Sequence, residues 1–273
     1  LGFPIIATSG NISEEPICTD EYDVIEKLKG IADYYLVHNR KIRRHVDDSI
    51  ARIAAGRQMI LRRARGYAPL PVTVKGISKS YLAFGPHLKN TIAVNKGDNV
   101  FISQHIGDLE NIESINAFKI VTRDLQSFYE IKPVKIICDM HPDYVSTKYA
   151  KELHKEAEQV QHHYAHILSC MAENNLECTD NANDILGVSW DGTGYGIGGT
   201  IWGSEFLQPK GRYFNRVAFL KPFMLPGGEK AISNVWRIGF ALLYDIYGEK
   251  VFELKGIEFL NKTHEIELIK QML

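Results

Sequence analysis

Several things are scarce in this chain, and each shortage excludes a class of protein. The four cysteines, Cys18, Cys138, Cys170 and Cys178, are scattered, with no C-x-x-C pair. Neither a disulfide scaffold nor a thiolate metal site is indicated, and reduced thiols in a cytoplasmic protein are expected. No apolar run approaches the ~20 residues of a membrane-spanning helix. Leu1 to Ile6 is too short for a secretory signal and follows no basic region. Charge of one sign is not in excess either. The formal net charge is −1, so no overall field favours nucleic acid or an anionic membrane. Short tandem repeats are absent.

What is present is ordinary for a soluble globular protein. The chain has 273 residues, 45% hydrophobic and 24% charged, enough for two domains or one large one. It opens without an initiator Met, inside what reads as a buried strand over residues 3–8. It closes in a helical pattern carried by Ile266, Ile269, Met272 and Leu273. A piece of a longer polypeptide is expected.

Two blocks are expected, 1–72 and 73–273, with Pro69-Leu70-Pro71 as the linker. In the first, apolar spacing predicts a helix over 20–28 and strands over 34–37, 50–53 and 58–61. In the second, strands are predicted over 80–84, 91–94, 99–103, 134–138, 185–190 and 199–202, with a short one at Val160. Helices are predicted over 112–129, 144–155, 163–174 and 231–247. Strands alternating with helices make this block α/β with a largely buried mixed sheet.

Gln161-His162-His163-Tyr164-Ala165-His166 is the most informative stretch. On a helix, His162 and His166 share a face one turn apart, a geometry that can grip a metal ion. His163 faces about 100° away and need not share the role. It also occupies the position where a zinc protease carries its catalytic Glu, which disfavours that chemistry. Two imidazoles need at least one further ligand, and Asp191 is the best candidate. A carboxylate oxygen with two nitrogens suits Zn²⁺ or Fe²⁺.

Asp191 opens the turn Asp191-Gly192-Thr193-Gly194-Tyr195-Gly196. Lying between strands, it is neither a Walker loop nor a dinucleotide fingerprint, both of which lead into a helix. Backbone N–H groups at Gly192 and Gly194, with the Thr193 hydroxyl, can hold phosphate. A plain hairpin also uses glycine for positive φ, but five glycines between 192 and 199 exceed that need. Two cationic clusters, Arg40/Lys41/Arg43/Arg44 and Arg62/Arg63/Arg65, could grip phosphate together with Ser9 and Asn11, or could be a solvated face. An RNA-binding surface is a third reading, weakened by few interleaved aromatics. His141, beyond the 134–138 strand, is either a ligand-facing residue or a turn residue. Lys89 reaches either phosphate or water.

These motifs, in this order, resemble the HypF family of carbamoyltransferases that mature nickel–iron hydrogenases. The resemblance runs over essentially the whole chain. Its carriers are Thr8-Ser9-Gly10-Asn11-Ile12-Ser13-Glu14-Glu15-Pro16, Asp47-Asp48-Ser49, Arg62-Arg63-Ala64-Arg65-Gly66-Tyr67-Ala68-Pro69, Leu88-Lys89-Asn90-Thr91, Ser103-Gln104-His105-Ile106-Gly107-Asp108-Leu109, His141-Pro142-Asp143-Tyr144 and the histidine and Asp191 segments. It implies that residues 1–72 are the C-terminal part of a YrdC-like α/β domain. That domain makes carbamoyl-adenylate from ATP, with Mg²⁺, and carbamoyl phosphate. Residues 73–273 would be the first part of a Kae-like domain with an actin/Hsp70-like (ASKHA) mixed-sheet core. There His162, His166 and Asp191 would bind the metal, and the carbamoyl group would pass to the C-terminal cysteine of a HypE-type partner. The family's N-terminal acylphosphatase and zinc-finger-like parts, the first half of its YrdC-like domain and a further aspartate ligand are not in these 273 residues. Two rivals stand beside this reading: an actin-like nucleotide-dependent kinase or ATPase, and a non-enzymatic RNA-binding module.

Overall fold

A computed structural model describes residues 2–13, 15–177, 184–256 and 263–273. Leu1, Glu14 and Cys178 lie outside that set. At its centre is a six-stranded mixed sheet, ordered β3-β6-β5-β4-β7-β8. Its strands are β3 (Pro71–Thr73), β4 (Tyr81–Phe84), β5 (Ile92–Lys96), β6 (Asn99–Ile102), β7 (Lys135–Asp139) and β8 (Glu158–Val160). β4, β7 and β8 run parallel, whereas β3, β5 and β6 join antiparallel. The parallel half needs crossovers, supplied by α2 (Ile112–Phe128) between β6 and β7 and α3 (Val145–Leu153) between β7 and β8. α2 presents Phe118, Val121 and Leu125 to the sheet, at helical spacing. They pack with Leu82, Phe84, Ile92, Val94 and Ile136 in the main core. Phe84 and Phe118 meet edge-to-face, with ring centroids 4.9 Å apart.

The first block contributes α1 (Glu21–Lys27), capped by the Asp20 side chain, and a two-stranded hairpin of β1 (Ile50–Ala54) and β2 (Arg57–Arg62). It is tied to the central sheet at several points. His105 Nδ1 lies 2.9 Å from Asp47 Oδ2, and the His105 N–H donates to the Arg63 carbonyl.

Beyond the central sheet, α4 (His162–Glu173) packs on a three-stranded antiparallel sheet, β13-β12-β9. Its strands are β9 (Gly187–Ser189), β12 (Glu205–Lys210) and β13 (Tyr213–Phe219). Tyr164, Ile167 and Met171 from one face of α4 close a second core over Leu207. β10 (Gly194–Tyr195) and β11 (Ile201–Trp202) form a separate short ribbon. The chain ends in α5 (Glu229–Ser233), α6 (Trp236–Tyr247), a 3-10 segment Gly248–Glu253 and α7 (Thr263–Lys270), around Phe240, Val251, Ile266 and Ile269.

Several expectations are corrected. Residues 3–8 form no strand: no described strand pairs with them, and Ile6 is 98% exposed. Residues 34–37 also remain irregular, with Tyr34, Leu36 and Val37 exposed, for want of a pairing edge. The linker stretch Pro69-Leu70-Pro71 is ordered at its end, where Pro71 pairs with Phe101 across β3 and β6. The helix expected over 231–247 is broken at Asn234. Its side-chain amide donates to the Lys230 carbonyl, competing with the helical ladder. β12 and β13 escaped sequence reading although β12 alternates strictly between buried and half-buried positions. The two-residue turn Gly211-Arg212 between them, with Gly211 at φ +55°, was the available signal.

Candidate functional site

The parallel register of β7 and β8 builds the site. Asp139, the last residue of β7, is level with Val160, the last of β8, and α4 starts two residues later at His162. Gln161 caps α4: its Oε1 accepts the Tyr164 N–H. Its Nε2 reaches His163 Nδ1 (2.9 Å) and the Tyr195 carbonyl (3.1 Å), tying the helix start to β10. One turn into α4, His162 and His166 point the same way. Their Nε2 atoms are 3.3 Å apart.

Asp191 comes from the turn between β9 and β10. Its Oδ2 lies 3.0 Å from His162 Nε2 and 3.4 Å from His166 Nε2. All three donor atoms fall within 4.8 Å of one another. That oxygen is buried. A buried carboxylate oxygen faced by two imidazole nitrogens fits a divalent cation held by two nitrogens and an oxygen. Electrostatics point the same way. The hydrogen bond to Asp139, then that to Asp191, raises the His162 pKa to about 9. Burial pushes the Asp191 carboxyl up, but the hydrogen bonds of His162 and His166 outweigh it and hold the pKa far below the usual range. The cluster is two carboxylates gripping one imidazolium, in which a metal can take the place of the shared proton.

The other expected residues separate into groups. Gly192 and Thr193 line a cavity of about 310 Å³ next to Asp191, with Trp202, Glu205, Arg216 and Phe223. A Cβ at Gly192 would meet nothing within 4 Å, so its backbone is open to a ligand. Gly194 is different: it is buried against His162 and His163, and its role is packing. The Asp191 turn also joins no hairpin. β9 pairs with β12 and β10 with β11, so the turn passes from one sheet to another.

Ser9, Asn11, Arg62 and Arg65 line a cavity of about 620 Å³ in the first block, which Asp47 and Asp48 share. Arg63 is not among them. Its guanidinium is bound by the Leu70 carbonyl, at the turn preceding β3. Arg43 and Arg44 turn to Asp124 on α2, at 2.7 and 4.0 Å, so this part of the first cationic cluster ties the two blocks together. Arg62 also borders an adjoining cavity of about 270 Å³ with Lys89 and His105. His141 serves a turn, its Nδ1 accepting the Asp143 N–H, but its ring also stacks on Tyr144 (4.1 Å) and leans on Tyr195 (4.9 Å) beside the cluster.

Sequence reasoning missed three residues. Asp139 follows the predicted 134–138 strand immediately, and an acidic residue at a strand's C-terminal end was the signal. Glu205 is 1% exposed and accepts from Arg216 Nε and Nη2, at 2.6 and 2.7 Å. The Arg216 guanidinium lies between Trp202 and Phe219, 3.9 and 3.8 Å from their ring centroids. Nothing local in the sequence announces that pairing.

Comparison with known proteins agrees with this architecture. Residues 77–173 match the HypF Kae1-like domain. Residues 187–273 match the second subdomain of the carbamoyltransferase Kae1-like domain. Residues 1–64 match the Sua5/YciO/YrdC family, described as "Telomere recombination". The chain is 45% identical over 247 residues to the carbamoyltransferase HypF of Synechocystis sp.. This chain belongs to the HypF family. The Synechocystis alignment covers 90% of the chain and 32% of that HypF. The probable carbamoyltransferase HypF of Methanocaldococcus jannaschii is 35% identical over 275 residues, covering 98% of the chain and 35% of the relative. A crystal structure of full-length HypF in its phosphate- and nucleotide-bound form superposes with a TM-score of 0.88 at 42% identity, over 97% of this chain and 34% of that one. The HypF of T. kodakarensis gives 0.82 at 33% identity, over 97% and 36%. The chain therefore spans about a third of the length of the HypF proteins it matches. Among the described residues, no helix is long and apolar enough to cross a membrane. The described cysteines, Cys18, Cys138 and Cys170, form no disulfide.

Proposed function

We propose that this chain carries the two ligand sites of an ATP-dependent carbamoyltransferase acting in the cytoplasm on nickel–iron hydrogenase maturation. It would use carbamoyl phosphate to form carbamoyl-adenylate and pass the carbamoyl group to the C-terminal cysteine of a HypE-type partner. The observation that carries the reading is the convergence of His162, His166 and Asp191 beside an open, glycine-backed cavity. Membership of the HypF family supports it.

ATP with Mg²⁺ and carbamoyl phosphate would occupy the first-block cavity. Arg62 and Arg65 there supply planar, bidentate donors, and Ser9 a hydroxyl. Zn²⁺ or Fe²⁺ would be held by His162 Nε2, His166 Nε2 and Asp191 Oδ2. Bound there, the metal would supply a Lewis acid for a carbonyl or phosphate oxygen. Gly192 and Thr193 line the adjoining cavity, where a backbone N–H and a hydroxyl could orient a phosphate. In the transfer step a thiolate attacks the carbamoyl carbon, the C–S bond forms, the C–O bond to the adenylate breaks, and AMP leaves with the electron pair. The cavity that Arg62 shares with Lys89 and His105 adjoins the first-block cavity, so a reactive mixed anhydride could pass with less exposure to water.

The test is carbamoyl-phosphate-dependent exchange of pyrophosphate into ATP, with this chain and with a full-length HypF relative bearing matching substitutions. His162→Ala is expected to spare exchange and stop transfer to the partner. Arg62→Ala should abolish exchange, whereas Arg63→Ala should leave nucleotide affinity intact. Exchange that depends on His162 but not on Arg62 would reverse the assignment of the two blocks.

A further inference from the structure

Asp139 has no part in the metal-ligand set, yet its side chain is firmly anchored beside it. Its carboxylate is 6% exposed. Oδ1 accepts the His141 N–H at 2.8 Å, and the Asp139 carbonyl accepts the Thr147 hydroxyl at 3.0 Å, so both the strand end and the start of α3 hold it. Oδ2 lies 2.7 Å from His162 Nδ1. Nδ1 and Nε2 sit on opposite sides of the imidazole, and Nε2 is the atom that faces Asp191 and His166. Asp139 is therefore behind the ring, away from the point where the three donors meet.

We infer that Asp139 is the positioning residue of the cluster: it accepts a hydrogen bond from the Nδ1–H of His162, fixes the ring so that Nε2 carries the lone pair toward the cation, and raises the basicity of that nitrogen. Carboxylates behind metal-bound histidines act in this way, and their loss typically costs about 10–100-fold in metal affinity. The placement follows from topology. Parallel β7 and β8 put Asp139 level with Val160, two residues before His162, so the carboxylate and the imidazole rise from the same sheet edge. The inference rests on the metal reading above.

The test measures Zn²⁺ affinity by competition with a chromophoric chelator. It compares the unaltered chain, His162→Ala, Asp139→Asn and Asp139→Ala, with a His162 ¹⁵N spectrum of each Zn²⁺-loaded form. Asparagine keeps an acceptor for the His141 N–H, so Asp139→Asn stays informative where alanine fails to fold. The expected results are loss of binding in His162→Ala and a drop of at least about tenfold in Asp139→Asn. A larger drop is expected in Asp139→Ala, with the Nδ1–H signal weakened or lost. Unchanged Zn²⁺ affinity and an unchanged Nδ1–H signal in Asp139→Asn, with tight binding by the unaltered chain, would overturn this inference and leave the metal reading intact. No Zn²⁺ binding by the unaltered chain would sink both.

Discussion

Gly194 and His162 touch. A Cβ built on Gly194 would lie 2.8 Å from His162 Cδ2 and 2.5 Å from His163 Cε1. Hydrogen is what lets β10 lie against the N-terminus of α4 and leaves both rings in place.

Gly194→Ala must therefore displace an imidazole. A methyl forced into such a contact typically costs about 1–3 kcal/mol. Urea unfolding should show that loss, and chelator competition should show weakened Zn²⁺ binding. Gly192→Ala, with open space around its Cβ, should change stability by less than about 0.5 kcal/mol. Equal effects of the two substitutions would contradict the packing role given to Gly194.

Metal binding should depend on pH through His162. The Asp139 and Asp191 carboxylates raise its pKa to about 9, so at neutral pH the empty site holds a proton that the cation must expel. Affinity should rise about tenfold per pH unit below 9 and level off above it. Competition titrations at several pH values check this, and a flat profile between pH 6 and 8 would refute it.

Asp47 and His105 join the first block to the central sheet. The His105 hydrogen bond holds the Asp47 pKa below its ordinary value, against the opposing effect of burial. A depressed carboxyl pKa contributes stability that is fully present above the unfolded value. That stability fades as pH falls through the folded one. Asp47→Ala should cost about 1.5–3 kcal/mol at pH 7, typical of a hydrogen bond to a charged group. The difference from the unaltered chain should shrink below pH 4. Denaturant unfolding at pH 7 and pH 3 measures both.

Arg216→Ala should be severe. It leaves the Glu205 carboxylate 1% exposed without its bidentate partner, and breaking a buried pair on one side costs about 3–5 kcal/mol. Adding Glu205→Gln should recover part of that loss. A double variant no more stable than the single one, by thermal unfolding, would show that the sandwich of Arg216 between Trp202 and Phe219 dominates instead.

Periodicity in the sequence reached most of the regular elements. The stripe through Ile115, Phe118, Val121 and Leu125 marks α2, and the Leu82–Phe84, Thr91–Val94 and Ile136–Cys138 runs mark the central sheet. It did not reach β12, β13 or the break at Asn234. It wrongly made strands of residues 3–8 and 34–37, because a strand exists only where an edge is available to pair with it.

The site divides along the same line. His162 and His166 share a face because helical geometry fixes their separation, and local order alone determined that much. Asp191 was a candidate by chemistry, and its place beside them depends on how β9, β10 and α4 pack. The contact of Asp139 with His162, the packing of Gly194 against the two imidazoles and the Glu205–Arg216 pair were decided by tertiary structure. Parallel pairing and side-chain contact join residues whose distance along the chain carries no information about their distance in space.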